Sequence, residues 1–239
     1  MKNTYKIHPM LTCRIAVDKG TFTYRTDYGK KINAPVYSWL ITGGEEPFLI
    51  DAGCTIPEAA KLSSVFEGED GPPIEDSLRK KGLSTSDIKT IIMTHLHIDH
   101  FANARKFPNA RIIVQEEELE FARNPHPVFA KSYNRAWYEG LNFETVRGDA
   151  EIFPGIAVLF TPGHSPGTQS VSIATEEGTK LLCGFCSIDD SFSDKGDIVS
   201  GIFCDIFKAY DSIMRLKSLG GTLIPLHSER ILAGESVAK

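Results

Sequence analysis

The chain has 239 residues, 41% of them hydrophobic and 24% charged, with a formal net charge of −5, enough for one large core and ordinary for a globule in water. The acidic balance removes the electrostatic case for nucleic acid, and no long basic run points to an anionic membrane surface. No apolar run reaches the length of a bilayer span, and Met1–Lys6 lacks the apolar stretch of a secretory signal. Five widely spaced cysteines (Cys13, Cys54, Cys183, Cys186, Cys204) are an odd count in a chain too large to need staples. Reduced thiols and a cytoplasmic setting are the expectation.

Residues 5–17 read as an opening strand. Val36–Thr42 and Phe48–Asp51 flank Gly43-Gly44-Glu45-Glu46, which reads as a hairpin turn. Asp51, at that strand end beside Ala52-Gly53, has two readings of equal weight: it orients a metal-bound histidine, or it caps the turn. Helices are expected over 57–66 and 74–81, the second closed by Gly82, with one more turn at Ser84–Asp87. A buried strand follows at 89–94, then a helix over 101–107 stopped by Pro108, a strand at Arg111–Gln115 and a helix at Glu116–Arg123. The acidic run of that helix reads as a solvated face.

Residues 124–142 carry more aromatics than a connector needs, and a lid over the substrate is the preferred reading; an excursion packed on the core is the alternative. His126, between two prolines, reads as a surface histidine. Strands follow at Phe143–Val146, Ile156–Phe160, Gln169–Thr175 and from Lys180. A helix over Asp205–Leu219 places Ile206, Tyr210, Ile213 and Met214 on a stripe expected to face the core, and Thr222–Leu226 forms a last strand. Strands and helices alternate, so a single α/β domain spanning 1–239 in two similar halves is expected.

The chemistry is concentrated in His95-Leu96-His97-Ile98-Asp99-His100, three imidazoles and a carboxylate directly after the 89–94 strand. In extended chain, residues two apart point the same way, so His95 and His97 can grip one ion. Asp99 and His100 lie past the turn and can face a second. Imidazole with carboxylate suits zinc first, and also iron or manganese. Two further histidines sit at strand ends: His164 within Thr161-Pro162-Gly163-His164-Ser165-Pro166-Gly167, whose prolines and glycines fix its direction, and His227 after Leu223-Ile224-Pro225-Leu226.

FLIDAG at 48–53, HLHIDH at 95–100, TPGHSPG at 161–167 and the late His227 together resemble the metallo-β-lactamase superfamily. The resemblance implies an αββα sandwich with two divalent metals between its sheets. His95, His97 and His164 would hold the first; Asp99, His100 and His227 the second. The family's bridging aspartate has no simple counterpart, because alignment on Gly184 puts Phe185 in its place. Asp189, through a bulged strand, is the preferred substitute; Cys186, as a thiolate, is the alternative. Loss of any bridge would leave a mononuclear or inactive site.

Within the superfamily the chain looks like the quorum-quenching lactonases and pyridoxolactonase. That implies water activated between two cations, attack on the carbonyl of a lactone or related cyclic carbonyl, and Asp99 steering the nucleophile and its proton. Phe192 falls where those lactonases often carry a tyrosine near the substrate, so another lactone, cyclic amide or ester is also open. A thioesterase of glyoxalase-II type is the nearest enzymatic rival, and a metal-poor binding module the rival outside the enzymes. The expected partner is a small molecule, with a homodimer left open.

Overall fold

The computed structural model describes residues 4–60, 67–133, 135–193, 196–197 and 199–232. The chain begins with two long strands, β1 (Lys6–Asp18) and β2 (Lys31–Thr42), paired antiparallel, followed by β3 (Phe48–Ile50). Next come α1 (Ile56–Ala60), β4 (Glu67–Asp70), α2 (Ile74–Arg79), β5 (Thr90–Ile92), α3 (Ile98–Phe101), β6 (Arg111–Gln115), α4 (Glu116–Arg123), α5 (Arg135–Tyr138) and β7 (Phe143–Val146). These seven strands form one sheet in the order β4-β1-β2-β3-β5-β6-β7, and β3, β5, β6 and β7 run parallel. The second sheet contains β8 (Ala150–Phe153), β9 (Ile156–Phe160), β10 (Gln169–Thr175) and β11 (Gly178–Leu182). A small ribbon, β12 (Phe192–Ser193) with β13 (Gly196–Asp197), and α6 (Ile206–Ser218) lead to β14 (Thr222–Ile224), which pairs parallel to β11.

Strand periodicity explains the layering. On β2, Tyr37, Trp39 and Ile41 face the second sheet, where Ile156, Val158, Val171 and Ile173 meet them. Leu40, between them, joins the opposite face with Leu49, Ile91, Ile112 and Val114, covered by Leu78, Phe101, Leu119 and Tyr138 from the helices. Both faces are buried, so β2 is buried without a break from Ala34 to Ile41, Ser38 among them donating to Asp51 O. On the other outer face, Leu159, Leu181 and Phe185 pack beneath Ala209, Ile213 and Leu216 of α6. The result is the expected αββα sandwich.

Several local expectations are corrected or fall partly outside the described residues. The 57–66 helix is described only over Ile56–Ala60, and its remainder lies outside the described residues. The 101–107 helix begins at Ile98 and continues as a 3-10 turn over Ala102–Lys106. Two strands without apolar alternation, β4 and β8, were not expected; β4 is an exposed acidic edge paired to β1. From β8 to β11 the second half is antiparallel and hairpin-linked, not alternating with helices.

The α6 stripe is rotated as well. Tyr210 is 47% and Met214 41% exposed, while Ala209, Ser212, Ile213 and Leu216 are buried. Small residues face inward because a Cβ added at Gly163 would stand 2.2 Å from the Ala209 backbone nitrogen. The helix lies on that loop too closely for large side chains.

Candidate functional site

The site lies where loops from both sheets meet. After β5 the chain passes Thr94 and delivers His95 and His97, whose ring centroids are 4.7 Å apart. His97 is extended (φ −67°, ψ 153°) immediately before α3, so Asp99 and His100 turn with the helix. Gln169 fastens this strand end to the second sheet: its backbone N–H donates to Thr94 O at 2.9 Å and its side-chain amide to Met93 O at 2.8 Å. His164 comes from the β9–β10 loop and His227 from the loop after β14.

Two groups of donor atoms result. His95, His164 and Cys186 form one and Asp99, His100 and His227 the other, the ligand atoms of each group within 4.8 Å of one another. His164 Nε2 is 3.2 Å from His95 Nε2, 3.1 Å from His97 Nδ1 and 3.3 Å from Cys186 Sγ. Asp99 Oδ2 is 3.3 Å from His100 Nε2 and 4.0 Å from His227 Nε2. The six residues expected as ligands are therefore brought together.

The outer nitrogens of four rings are held. His100 Nδ1 meets Asp51 Oδ2 at 2.8 Å, His164 Nδ1 meets Ile202 O at 2.7 Å, and His227 Nδ1 meets Pro35 O at 2.8 Å. His95 Nδ1 lies 3.0 Å from Thr94 Oγ1, whose hydroxyl is 2.8 Å from the same Asp51 oxygen. A ring that donates through Nδ1 turns an Nε2 lone pair to the centre. Asp51 also accepts from Thr94 N at 2.7 Å, and its left-handed φ of +53° places its carboxylate at this junction. Of its two readings, the orientation of His100 is the one the geometry displays.

These residues fit divalent cations. His100 Nε2 and His227 Nε2 are buried without an aligned hydrogen-bond partner, and buried polar atoms are ordinarily satisfied. Burial and the surrounding imidazoles push His95 well below its ordinary pKa; burial and His164 push His97 to about 3, against the pull of Asp99. Burial opposes the charge on Cys186, but His164, His100 and His227 outweigh it and favour the thiolate. Asp99, despite burial, is held as a carboxylate by His100 and His227. Burial opposes charge on His100 and His164 too, but Asp99 and Asp51 hold the first above its ordinary pKa and Cys186 the second, so a cation binding here would displace their protons. Imidazoles with a thiolate and carboxylate make a donor set for zinc-like ions.

The two bridge candidates part company. Asp189 points elsewhere: its carboxylate accepts from Ser228 Oγ, from Glu229 N at 3.0 Å and from Arg230 N at 3.4 Å, tying down the loop beyond His227. The preferred substitute is thus corrected, and Cys186 is the residue beside His164. Past the end of β11 the chain bends, turning Phe185 outward against Phe192 (centroids 6.1 Å apart) while Cys186 reaches His164. Phe192 belongs to that outer packing and not to the cavity over the site.

That cavity, about 480 Å³, is walled by Ile15, Val17, Phe22, Ile98 and Ile202, with His97, Asp99 and Cys186 at its base. From the 124–142 segment, Lys131 and Ser132 line it, while Tyr133 and Tyr138 are buried in the core. His126 is exposed, as expected.

Sequence reasoning missed Glu118. Its carboxylate is wholly buried, not solvated, and accepts four hydrogen bonds from loops around the site. Periodicity held a signal, because Glu118 shares a helical face with Ala122 four residues on.

Residues 33–184 match the metallo-beta-lactamase superfamily. The N-acyl homoserine lactonase AiiA of Bacillus thuringiensis subsp. kurstaki is 32% identical over 220 residues, covering 86% of this chain and 84% of its own. The N-acyl homoserine lactonase AttM of Rhizobium radiobacter is 31% identical over 171 residues, 64% of this chain and 65% of its own. A solved N-acyl homoserine lactone hydrolase, with the product N-hexanoyl-L-homoserine at its catalytic metal centre, superposes with a TM-score of 0.84 at 28% identity, over 99% of this chain and 98% of that one. A buried double cluster of ligands at a sheet seam and these likenesses agree: the chain belongs to the metallo-beta-lactamase superfamily, within its N-acyl homoserine lactonase branch.

Proposed function

We infer that this hydrolase opens lactones, with N-acyl homoserine lactones as the substrate class, at two divalent cations, zinc before iron or manganese. The observation that carries the reading is the pair of adjoining ligand groups at the base of an apolar cavity. His95, His97 and His164 would hold one cation and Asp99, His100 and His227 the other, with Cys186 beside both. Bound there, the cations supply Lewis acidity toward a carbonyl oxygen and toward water.

The chain's own residues do the rest. Ile15, Val17, Phe22 and Ile202 offer an apolar wall that excludes water and can receive an acyl chain. Asp99 lines the same cavity, so the carboxylate oxygen not turned to His100 and His227 can take a proton from the attacking water and return it to the departing alkoxide. No hydroxyl reaches the cavity from position 192, and Asp99 is the carboxylate that lines it within a ligand group. Residues 124–142 act as the cover, anchored by Tyr133 and Tyr138 and facing the substrate through Lys131 and Ser132. An odd count of five widely spaced cysteines supports a reducing, cytoplasmic setting. No helix among the described residues is long and apolar enough to cross a membrane.

The test is a panel of N-acyl homoserine lactones, other lactones, lactams and thioesters with zinc-loaded protein, followed by proton release. Lactone opening is expected, and Asp99→Asn should lower kcat by about 10²–10⁴-fold. Thioester turnover without lactone turnover would overturn the reading.

A further inference from the structure

We propose that Glu118 is the positioning residue of the first cation group, setting the separation of the two loops that carry His95, His97 and His164. The inference rests on the cation-binding reading above. Glu118 opens the first turn of α4 and is completely buried. Its partners among the described residues are all neutral. Oε1 accepts from Leu96 N at 2.9 Å and from the Tyr133 hydroxyl at 3.0 Å; Oε2 accepts from the Ser165 hydroxyl at 2.5 Å and from Gly167 N at 3.1 Å.

Leu96 sits between His95 and His97, and Ser165 follows His164. One carboxylate thus fixes backbone on both sides of the place where three imidazoles converge. The loops also press on the helix: a Cβ at Gly167 would stand 2.2 Å from the Glu118 backbone nitrogen. Tyr133, the fourth donor, lies with its ring 5.0 Å from the His97 ring, tilted by 56°. A buried carboxylate without a cationic partner is costly, and an apolar residue could fill the same volume more cheaply. A carboxylate is the group that can accept on both ends at once. The second cation group leans instead on Asp51 and Pro35 O, neither of which touches Glu118.

An amide at this position cannot accept at both ends; its NH2 must oppose a donor from one loop or the other. The experiment follows zinc retained per chain against graded chelator for the unsubstituted protein, Glu118→Gln and Glu120→Gln, an exposed control on the same helix. The expected result is that Glu118→Gln releases one equivalent at roughly ten- to a hundredfold lower chelator, while the other equivalent and the control hold as in the unsubstituted chain. Retention of both equivalents unchanged, or equal loosening of both, overturns the proposal. If Glu118→Gln does not fold, Ser165→Ala removes a single donor and should loosen the same equivalent severalfold; unchanged retention there overturns it too. The readout contains no substrate, so a failure of lactone hydrolysis leaves it standing. An unsubstituted chain that takes up no zinc would refute the cation reading and this inference together.

Discussion

Asp51→Asn isolates the role of Asp51 with almost no change of shape. In the native arrangement Oδ1 accepts from Thr94 N at 2.7 Å, and Oδ2 accepts from the Thr94 hydroxyl and from His100 Nδ1, each at 2.8 Å. The same hydroxyl lies 3.0 Å from His95 Nδ1. One oxygen therefore sets the tautomer of two rings in different cation groups. An amide can keep the bond to Thr94 N, but its NH2 then faces the Nδ1–H of His100. His100 must move its proton to Nε2, the atom meant for the cation, and a reversed Thr94 hydroxyl asks the same of His95. Loss of such a partner typically weakens cation binding by about 10–100-fold, or about 1.4–2.7 kcal/mol. If the rings do not switch, a buried donor is left unsatisfied at about 1–3 kcal/mol of stability. Isothermal titration of zinc into the metal-free protein, with thermal melting of the same samples, separates the two. Wild-type affinity for both equivalents with only a lowered Tm would refute the reasoning and make Asp51 a turn cap.

Cys186→Ala should lower zinc affinity by at least about tenfold, whereas Asp189→Ala should leave zinc stoichiometry intact and loosen the Ser228–Arg230 loop, seen as faster hydrogen exchange there; the reverse pattern would restore Asp189 as a ligand. Burial pushes the Asp149 carboxyl up, but the Arg215 guanidinium and the Phe160 N–H outweigh it and hold it below the ordinary range. The folded value is depressed, so its stabilisation is present above about 3.9 and is lost as pH falls through the folded value. Arg215→Ala should raise the Asp149 titration midpoint by NMR at a cost below about 1 kcal/mol, as for a half-exposed pair; an unmoved midpoint would show that Arg215 contributes nothing there.

The convergence of the six candidate residues was legible because clustered histidines and histidines at strand ends advertise direction as well as chemistry. The parallel strands β3, β5 and β6 were legible because apolar runs buried on both faces leave no polar alternation. Glu118 was not, because its four donors come from three separate segments, 15 to 49 residues away, and a run of glutamates on a short helix resembles a wet surface. The α6 face was misjudged for the opposite reason. Large apolar residues at helical spacing suggest a core, yet close approach to Gly163 admits only Ala209 and Ser212 beside Ile213 and Leu216. The exchange of Asp189 for Cys186 turned on the direction of one residue past a strand end, which composition does not encode.

The outer nitrogens of His164 and His227 are gripped by the carbonyls of Ile202 and Pro35. A main-chain oxygen has no codon of its own, so point substitution at those two positions swaps a side chain and leaves the anchor in place. Half of the ring anchoring is thereby sheltered from mutation so long as the chain keeps its path. Drift in the orientation of the cluster can enter by simple replacement at Thr94 and Asp51, and it is there that random mutagenesis should find the orientation failures.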